Sequence, residues 1–255
     1  MKLSINLNKI ALLRNSRGNN NPSLIHYANE CIALGVDGLT LHPRPDHRHA
    51  TSEDVISISK LCKRNNIEFN LEGNPFSLPD GDFLGFYELC KISTPSQITL
   101  VPDSLDQVTS DHGWQKGYCD NELKDFVLNI KKLEYTPTMR ISLFIDADIS
   151  SVEYAAEVGA DRIEIYTGPL AYEYENGNSE KCNTIEHNIH LCIEKAKELR
   201  LGVNAGHDLN LYNIPVLKNC GIINEVSIGH AIMVDALKFG FHDTIMKYIE
   251  SVSKD

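Results

Sequence analysis

The sequence predicts an α/β protein, a single (β/α)8 TIM barrel with parallel strands that occupies residues 1–255. Three observations carry this reading. The chain has 255 residues, the usual size of one barrel of alternating strands and helices. Short apolar runs alternate with amphipathic segments through eight units. Ionisable or amide residues stand at the ends of most of the apolar runs, which is where such a barrel places its chemistry.

Each element has a local reason. Residues 3–7 form an apolar strand candidate, followed by a polar loop rich in Asn and Arg. Asn21 is expected to cap a helix with Pro22 at its first position and Gly35 as its stop. Leu24, Ile25, Ala28, Cys31 and Ile32 share one face of that helix. Residues 37–42 are the second strand, and Thr51 or Ser52 starts the next helix with Val55, Ile58 and Cys62 inward. The third strand is 67–72; a helix over 77–93 is weakened by Gly81 and Gly85. Strand 97–101, helix 120–134 and strand 140–146 follow, the last a near-continuous apolar run. Ser150 and Glu153 read as a capping box for a helix ending at Gly159. Strand 161–167, a long helix over 179–199, strand 201–205, a short helix over 211–219 and strand 225–228 complete the pattern, and Gly229 opens the last helical region. The competing architecture is an open Rossmann-like sheet, but no G-x-G-x-x-G follows the first strand.

Composition narrows the function. A net charge of −11 disfavours a nucleic-acid partner, which would need a basic surface. Local basic groups can still hold a small anion on an acidic protein. Residues 1–10 lack the apolar core and cleavage site of a signal peptide, and no apolar run is long enough to span a bilayer. The seven cysteines form no C-x-x-C pair. They read as packing residues in a reducing compartment, so the expected location is the cytoplasm, away from membranes.

The strand ends carry the unusual residues. Asn6 and Asn8 end the first strand, His42 the second, Glu72 the third and Asp146 the fifth. Glu164 lies within Ile163-Glu164-Ile165, whose apolar neighbours should face the helices, so its carboxyl points into the barrel. The seventh strand runs into Gly206-His207 and the eighth into Gly229-His230. One strand-end His is ordinarily structural; His42, His207 and His230 together point to acid/base chemistry at one rim. Glu72 could instead pair with an Arg, and Asp146 could be a cap or an ion-pair member. His26, His112, His187, His190 and His242 read as surface residues.

Two segments look built for phosphate. Residues 42–49, with Arg44, Arg48 and three His, promise a local positive field, supplemented by Arg14 and Arg17. His47-x-His49 suits a metal in principle, but the adjacent arginines oppose a cation, so no metal is expected. Ile228-Gly229-His230 ends a strand and opens a helix, whose free N–H groups attract anions.

In order along nearly the whole chain, these residues carry a likeness. They include Asn6, Leu13-Arg14-Asn15-Ser16-Arg17-Gly18, His42-x-Arg44-x-Asp46-x-Arg48-His49, Asn70-Leu71-Glu72, Leu100-Val101-Pro102, Ile163-Glu164-Ile165, Asn204-Ala205-Gly206-His207 and Ile228-Gly229-His230-Ala231-Ile232. The sequence resembles the pyridoxine 5'-phosphate synthase family. The resemblance implies condensation of 1-deoxy-D-xylulose 5-phosphate with 3-amino-2-oxopropyl phosphate to pyridoxine 5'-phosphate, phosphate and water, in vitamin B6 biosynthesis. It implies no cofactor, and a homo-oligomer, octameric or dimer-based. By position it makes His42 and Glu72 proton acceptors, His207 a proton donor and Glu164 a transition-state stabiliser. Arg44, His49 and Thr109 would bind the deoxyxylulose phosphate; Asn6, Arg17, Gly229 and His230 would bind the amino substrate. The loop 102–113 would be a mobile lid.

The chain departs from the family pattern at Asn8-Lys9, where the family has Asp-His, and at Asp208, where it has Gly. All three are expected beside substrate, and an acidic Asp208 opposes phosphate unless it turns away. Two other functions compete. A sugar-phosphate isomerase or epimerase would need one phosphate site rather than two. A non-catalytic phosphate-binding relative would find support only in Asn8, Lys9 and Asp208.

Overall fold

The computed structural model describes residues 1–104, 106–133 and 139–253. The elements are β1 (Lys2–Asn6), α1 (Asn8–Asn15), α2 (Leu24–Leu34), β2 (Gly38–Leu41), α3 (Ser52–Asn65), β3 (Glu68–Gly73), α4 (Phe86–Ser93) and β4 (Gln97–Leu100). There follow α5 (Asp120–Lys131), β5 (Arg140–Ile145), α6 (Ile149–Glu157), β6 (Arg162–Tyr166), α7 (Gly168–Glu175) and α8 (Ser179–Glu198). The chain continues through β7 (Gly202–Gly206), α9 (Ile214–Asn219), β8 (Glu225–Ile228), α10 (His230–Phe239) and α11 (Phe241–Ser253). Each strand pairs in parallel with the next, and β8 pairs with β1. The sheet is a closed (β/α)8 barrel, as expected.

Alternation decides what fills it. Successive strand side chains point to opposite faces. The outward set, such as Leu39 and Leu41 on β2 or Ile163 and Ile165 on β6, is buried under the helices. Each such side chain stabilises the fold by about 1.5–3 kcal/mol. The inward set is polar, and Ser4, Thr40, Asn70, Thr99, Glu164 and Asn204 are all buried. Buried polar groups need partners, and several find them across the barrel, although Gln97 Nε2 and Ser142 Oγ do not. The Ser4 and Thr40 hydroxyls lie 2.7 Å apart, and Asn204 Nδ2 donates to Gln97 Oε1 at 3.2 Å.

Several local expectations are corrected. The polar loop after β1 is helix α1, because Ile10 and Ala11 bury against the barrel and tertiary packing overrides the poor propensity of Asn. Ser23, not Asn21, caps α2, accepting from the His26 N–H. Ile25, which shares a face with Leu24, Ala28 and Cys31 in the sequence pattern, is exposed while those three are buried. Asp148, not Ser150, caps α6 by accepting from the Ser151 N–H at 2.9 Å. The helix expected over 77–93 is only α4, since Gly85 at φ 84° takes a left-handed turn against Pro79. Helix α7 was not foreseen. The predicted helix 120–134 ends at Lys131, and Glu134 lies outside the described residues, as do Leu105 of the expected lid and residues 254–255.

The segment after β4 folds back over the mouth of the barrel. Trp114 is buried, its Nε1 donating to Leu100 O at 3.0 Å and its backbone N–H to Phe144 O at 2.9 Å. Gly113 donates its N–H to Asp146 Oδ1 at 3.0 Å, and a Cβ there would run into the Ile145–Asp146 backbone. Asp146 therefore anchors this segment. Among the described residues, no helix is long and apolar enough to cross a membrane.

Candidate active site

The C-terminal ends of the strands enclose a cavity of 340 Å³. His42, Glu72, Glu164, His207, Asn6, Asn8, Lys9, Arg44, His49, Thr109, Asp208, Gly229 and His230 all line it. Arg17 does not. Helix α1 carries it past the barrel to an exposed position.

The expected positive field of the 42–49 loop is compensated from within. Arg14 forms a bidentate pair with Asp54 at 2.6 and 2.7 Å. Arg48 Nε meets Asp46 Oδ2 at 2.6 Å. Arg44 NH1 lies 3.1 Å from Asp103 Oδ2, and its NH2 donates to the carbonyls of Ser104 and Gln107. The loop thus offers oriented donors rather than bare charge. His49 lies among them with its Nδ1 buried and without a protein partner. Burial, then His42, Lys9 and the arginines, push its imidazole down to about 3, so it is neutral at physiological pH. No group of three or more His, Cys, Asp or Glu side chains that could hold a metal occurs among the described residues, His47 and His49 included.

His42 is fixed at both ends. Its backbone N–H donates to Asn8 Oδ1 at 2.9 Å, and its Nε2 lies 3.3 Å from Asp103 Oδ2. Burial raises the Asp103 carboxyl, but His42 and Arg44 outweigh it and hold it below the usual carboxylate range. Asp103 is a carboxylate that sequence reasoning missed; it follows Val101-Pro102 at the end of β4, and only that position revealed it.

A chain of polar groups descends from the mouth. Glu72 accepts from Asn6 Nδ2 at 3.2 Å, Asn70 Nδ2 at 3.3 Å and Ser227 Oγ at 3.3 Å. Thr99 Oγ1 lies 3.0 Å from Asn70 Oδ1 and 3.4 Å from Glu164 Oε2. No cation pairs with either glutamate among the described residues. Burial, then the Glu164 carboxylate, raises Glu72 well above the usual range, and burial pushes Glu164 up to about 7. The Thr99 hydroxyl faces two acceptors, Asn70 Oδ1 and the Glu164 carboxyl, and the buried Glu72–Glu164 pair keeps a proton. Asn70, Thr99 and Ser227 escaped the strand-end reading because they are ordinary polar residues at inward positions; the period-two alternation was their only signal. A Cβ on Gly206 would displace the Glu164 carboxyl.

On the far side, residues 106–113 bring Thr109 Oγ1 to 2.7 Å from His207 Nε2. At the β8 end, Gly229 precedes α10, and a Cβ on it would come within 3.0 Å of Asn6. Its bare backbone lets an anion approach the helix start beside Lys9 and His230.

Comparison with known proteins identifies the family. The model of the family "Pyridoxal phosphate biosynthesis protein PdxJ" matches residues 3–254. A pyridoxine 5'-phosphate synthase of Xanthomonas axonopodis pv. citri is 42% identical over 250 residues, covering 98% of this chain and 95% of the relative. One of Cytophaga hutchinsonii is 42% identical over 254 residues, covering 99% of each. Among solved structures, a thiamine phosphate pyrophosphorylase from Pyrococcus furiosus superposes with a TM-score of 0.59 at 10% identity, over 98% of this chain and 95% of that one. A phosphoribosylanthranilate isomerase from Thermotoga maritima gives 0.57 at 11% identity, over 99% and 98%. Those two likenesses show the fold alone. The chain is an enzyme and belongs to the PdxJ family of pyridoxal phosphate biosynthesis proteins.

Proposed function

We propose that the enzyme condenses 1-deoxy-D-xylulose 5-phosphate with 3-amino-2-oxopropyl phosphate to pyridoxine 5'-phosphate, phosphate and water. The observation that carries this reading is one 340 Å³ cavity in which imidazoles and neutral-leaning carboxyls lie between two sets of anion-binding groups. Arg44 and His49 on the β2 loop suit one phosphate, with Thr109. Gly229, His230 and Lys9 beside β1 suit the other, with Asn6. Arg17, which the resemblance assigns to this set, stands outside the cavity lining in this structure.

The amine of one substrate attacks the ketone of the other and forms an imine with loss of water. Phosphate leaves, and an aldol-type closure followed by dehydration makes the ring. The amine comes from substrate, so no enzyme lysine is needed for the covalent step. His42 and Glu72 take protons, His207 gives one, and Glu164 stabilises the transition state. Such a group contributes roughly 10²–10⁴ in rate. Fixing two phosphates aligns amine and ketone, and the closed 102–113 segment shields the imine from water.

Purified enzyme given both substrates should yield pyridoxine 5'-phosphate, and neither substrate alone should react. Turnover of one phosphorylated substrate alone would favour an isomerase, and binding without turnover a scaffold.

A further inference from the structure

His207 and Asp208 both occupy left-handed backbone, at φ 81° and 56°. Glycine is the default residue in such positions, and a non-glycine pair there is strained. The strain fixes a particular arrangement. Asp208 turns back along the rim so that its Oδ2 lies 2.8 Å from His207 Nδ1. On the other side of the ring, Nε2 lies 2.7 Å from Thr109 Oγ1. The ring of Tyr166 stands edge-on to the imidazole, centroids 5.2 Å apart at 80°. Three contacts from three different segments therefore define one ring orientation.

We infer that Asp208 is a positioning residue that holds His207 in the Nδ1–H tautomer and aims Nε2 at the reacting atoms. This rests on the proposed role of His207 as proton donor. A carboxylate can only accept, so Nδ1 must carry its hydrogen. The neutral ring then presents the Nε2 lone pair to the cavity, and the protonated ring presents Nε2–H in the same place. Asp208 is ionised in this setting: the hydrogen bond from His207 holds it below the usual carboxylate range against burial, with His207, His230 and Lys9 adding to the effect. An imidazole held by a carboxylate in this way keeps both its tautomer and its charged form available, the logic of catalytic His–Asp pairs. Because Asp208 also faces His230 and Lys9, the alternative role is to weaken phosphate binding there, and the two roles give different kinetics.

Asp208→Gly removes the acceptor and suits the backbone, so the variant folds at least as well as the parent. Its kcat for pyridoxine 5'-phosphate formation should fall by about 10-fold or more, while KM for each substrate stays within about 3-fold. In ¹⁵N spectra, His207 should change from a defined Nδ1–H tautomer to a mixture. Asp208→Asn offers an amide that can donate as well as accept, so it should loosen the tautomer and lose part of kcat. Unchanged kcat with a lower KM for the amino substrate would overturn the inference, as would an unaltered tautomer in Asp208→Gly. The tautomer is read without turnover, so an inactive parent enzyme would defeat the proposed reaction and leave this inference to be decided by the spectra.

Discussion

Glu68 and Glu72 stand four residues apart on the same inner face of β3, yet the two ends of the barrel treat them oppositely. At the lower end, Lys2 Nζ lies 2.8 Å and Arg140 NH2 2.9 Å from the Glu68 carboxyl. Burial pushes Glu68 up, but hydrogen bonds from Lys2 and the neighbouring Glu225, with the charge of Arg140, pull it down to about 2. Burial pushes Glu225 up to about 8, and it leans on Glu68 as the protonated partner. At the upper end, amides and hydroxyls surround Glu72 and Glu164, and the pair keeps a proton. Cations close the lower end into a fixed network. Neutral donors leave the upper end charged only in part, and able to exchange protons with whatever fills the cavity. The same residue type is thus structural or chemical according to whether a cation sits beside it.

The contrast can be broken at several points. The largest effect is expected from His207→Ala, which should lower ring formation by roughly 10²–10⁴-fold with unchanged thermal melting. Parent-like turnover would remove His207 from the mechanism. Next, the two β3 glutamates should separate by readout. Glu72→Gln should cost about 10²-fold in kcat with little change in stability. Glu68→Gln should leave kcat per folded molecule intact and lower the melting temperature by several degrees, because Arg140 and Lys2 lose their counter-charge. Interchanged outcomes would refute the division of labour.

A smaller effect concerns pH. The folded value of Glu164, about 7, lies above its unfolded value of about 4.3. Between those limits the folded state binds the extra proton. The stability it contributes is full below about pH 4 and is lost as pH rises through about 7. Glu164→Gln should flatten that decline in substrate-free enzyme; a decline of unchanged slope would argue against a neutral Glu164. The smallest effect is expected from Arg48→Ala. Arg48 NH1 donates to Gln107 O at 2.8 Å and Val108 O at 3.3 Å, just before Thr109. Its loss should make the 102–113 segment exchange amide hydrogens faster and lower kcat a few-fold, and equal exchange would refute the latch.

The barrel was legible because its signal is repeated: an apolar strand, a helix and a polar strand end recur, and errors at single caps do not disturb the count. The rim residues were legible because His and Glu are costly at strand ends unless used. The run of Asn and Arg after β1 looks like loop, while Ile10 and Ala11 make it helix α1, so the place of Arg17 outside the cavity lining was not legible. Asp103 and the Asn70–Thr99 link were hidden for a different reason. Their meaning lies in which residues they meet across the barrel, and no local pattern encodes that.

Charge states at the two ends of one strand set structural and chemical glutamates apart, and a carbon-13 titration of glutamate side chains reads them directly, with Glu68→Gln, Glu72→Gln and Glu164→Gln as assignments. The expected result is a Glu68 carboxylate still ionised well below pH 4 and a proton retained by the Glu72–Glu164 pair near neutrality. Titration of all three carboxyls together near about 4.3 would contradict it.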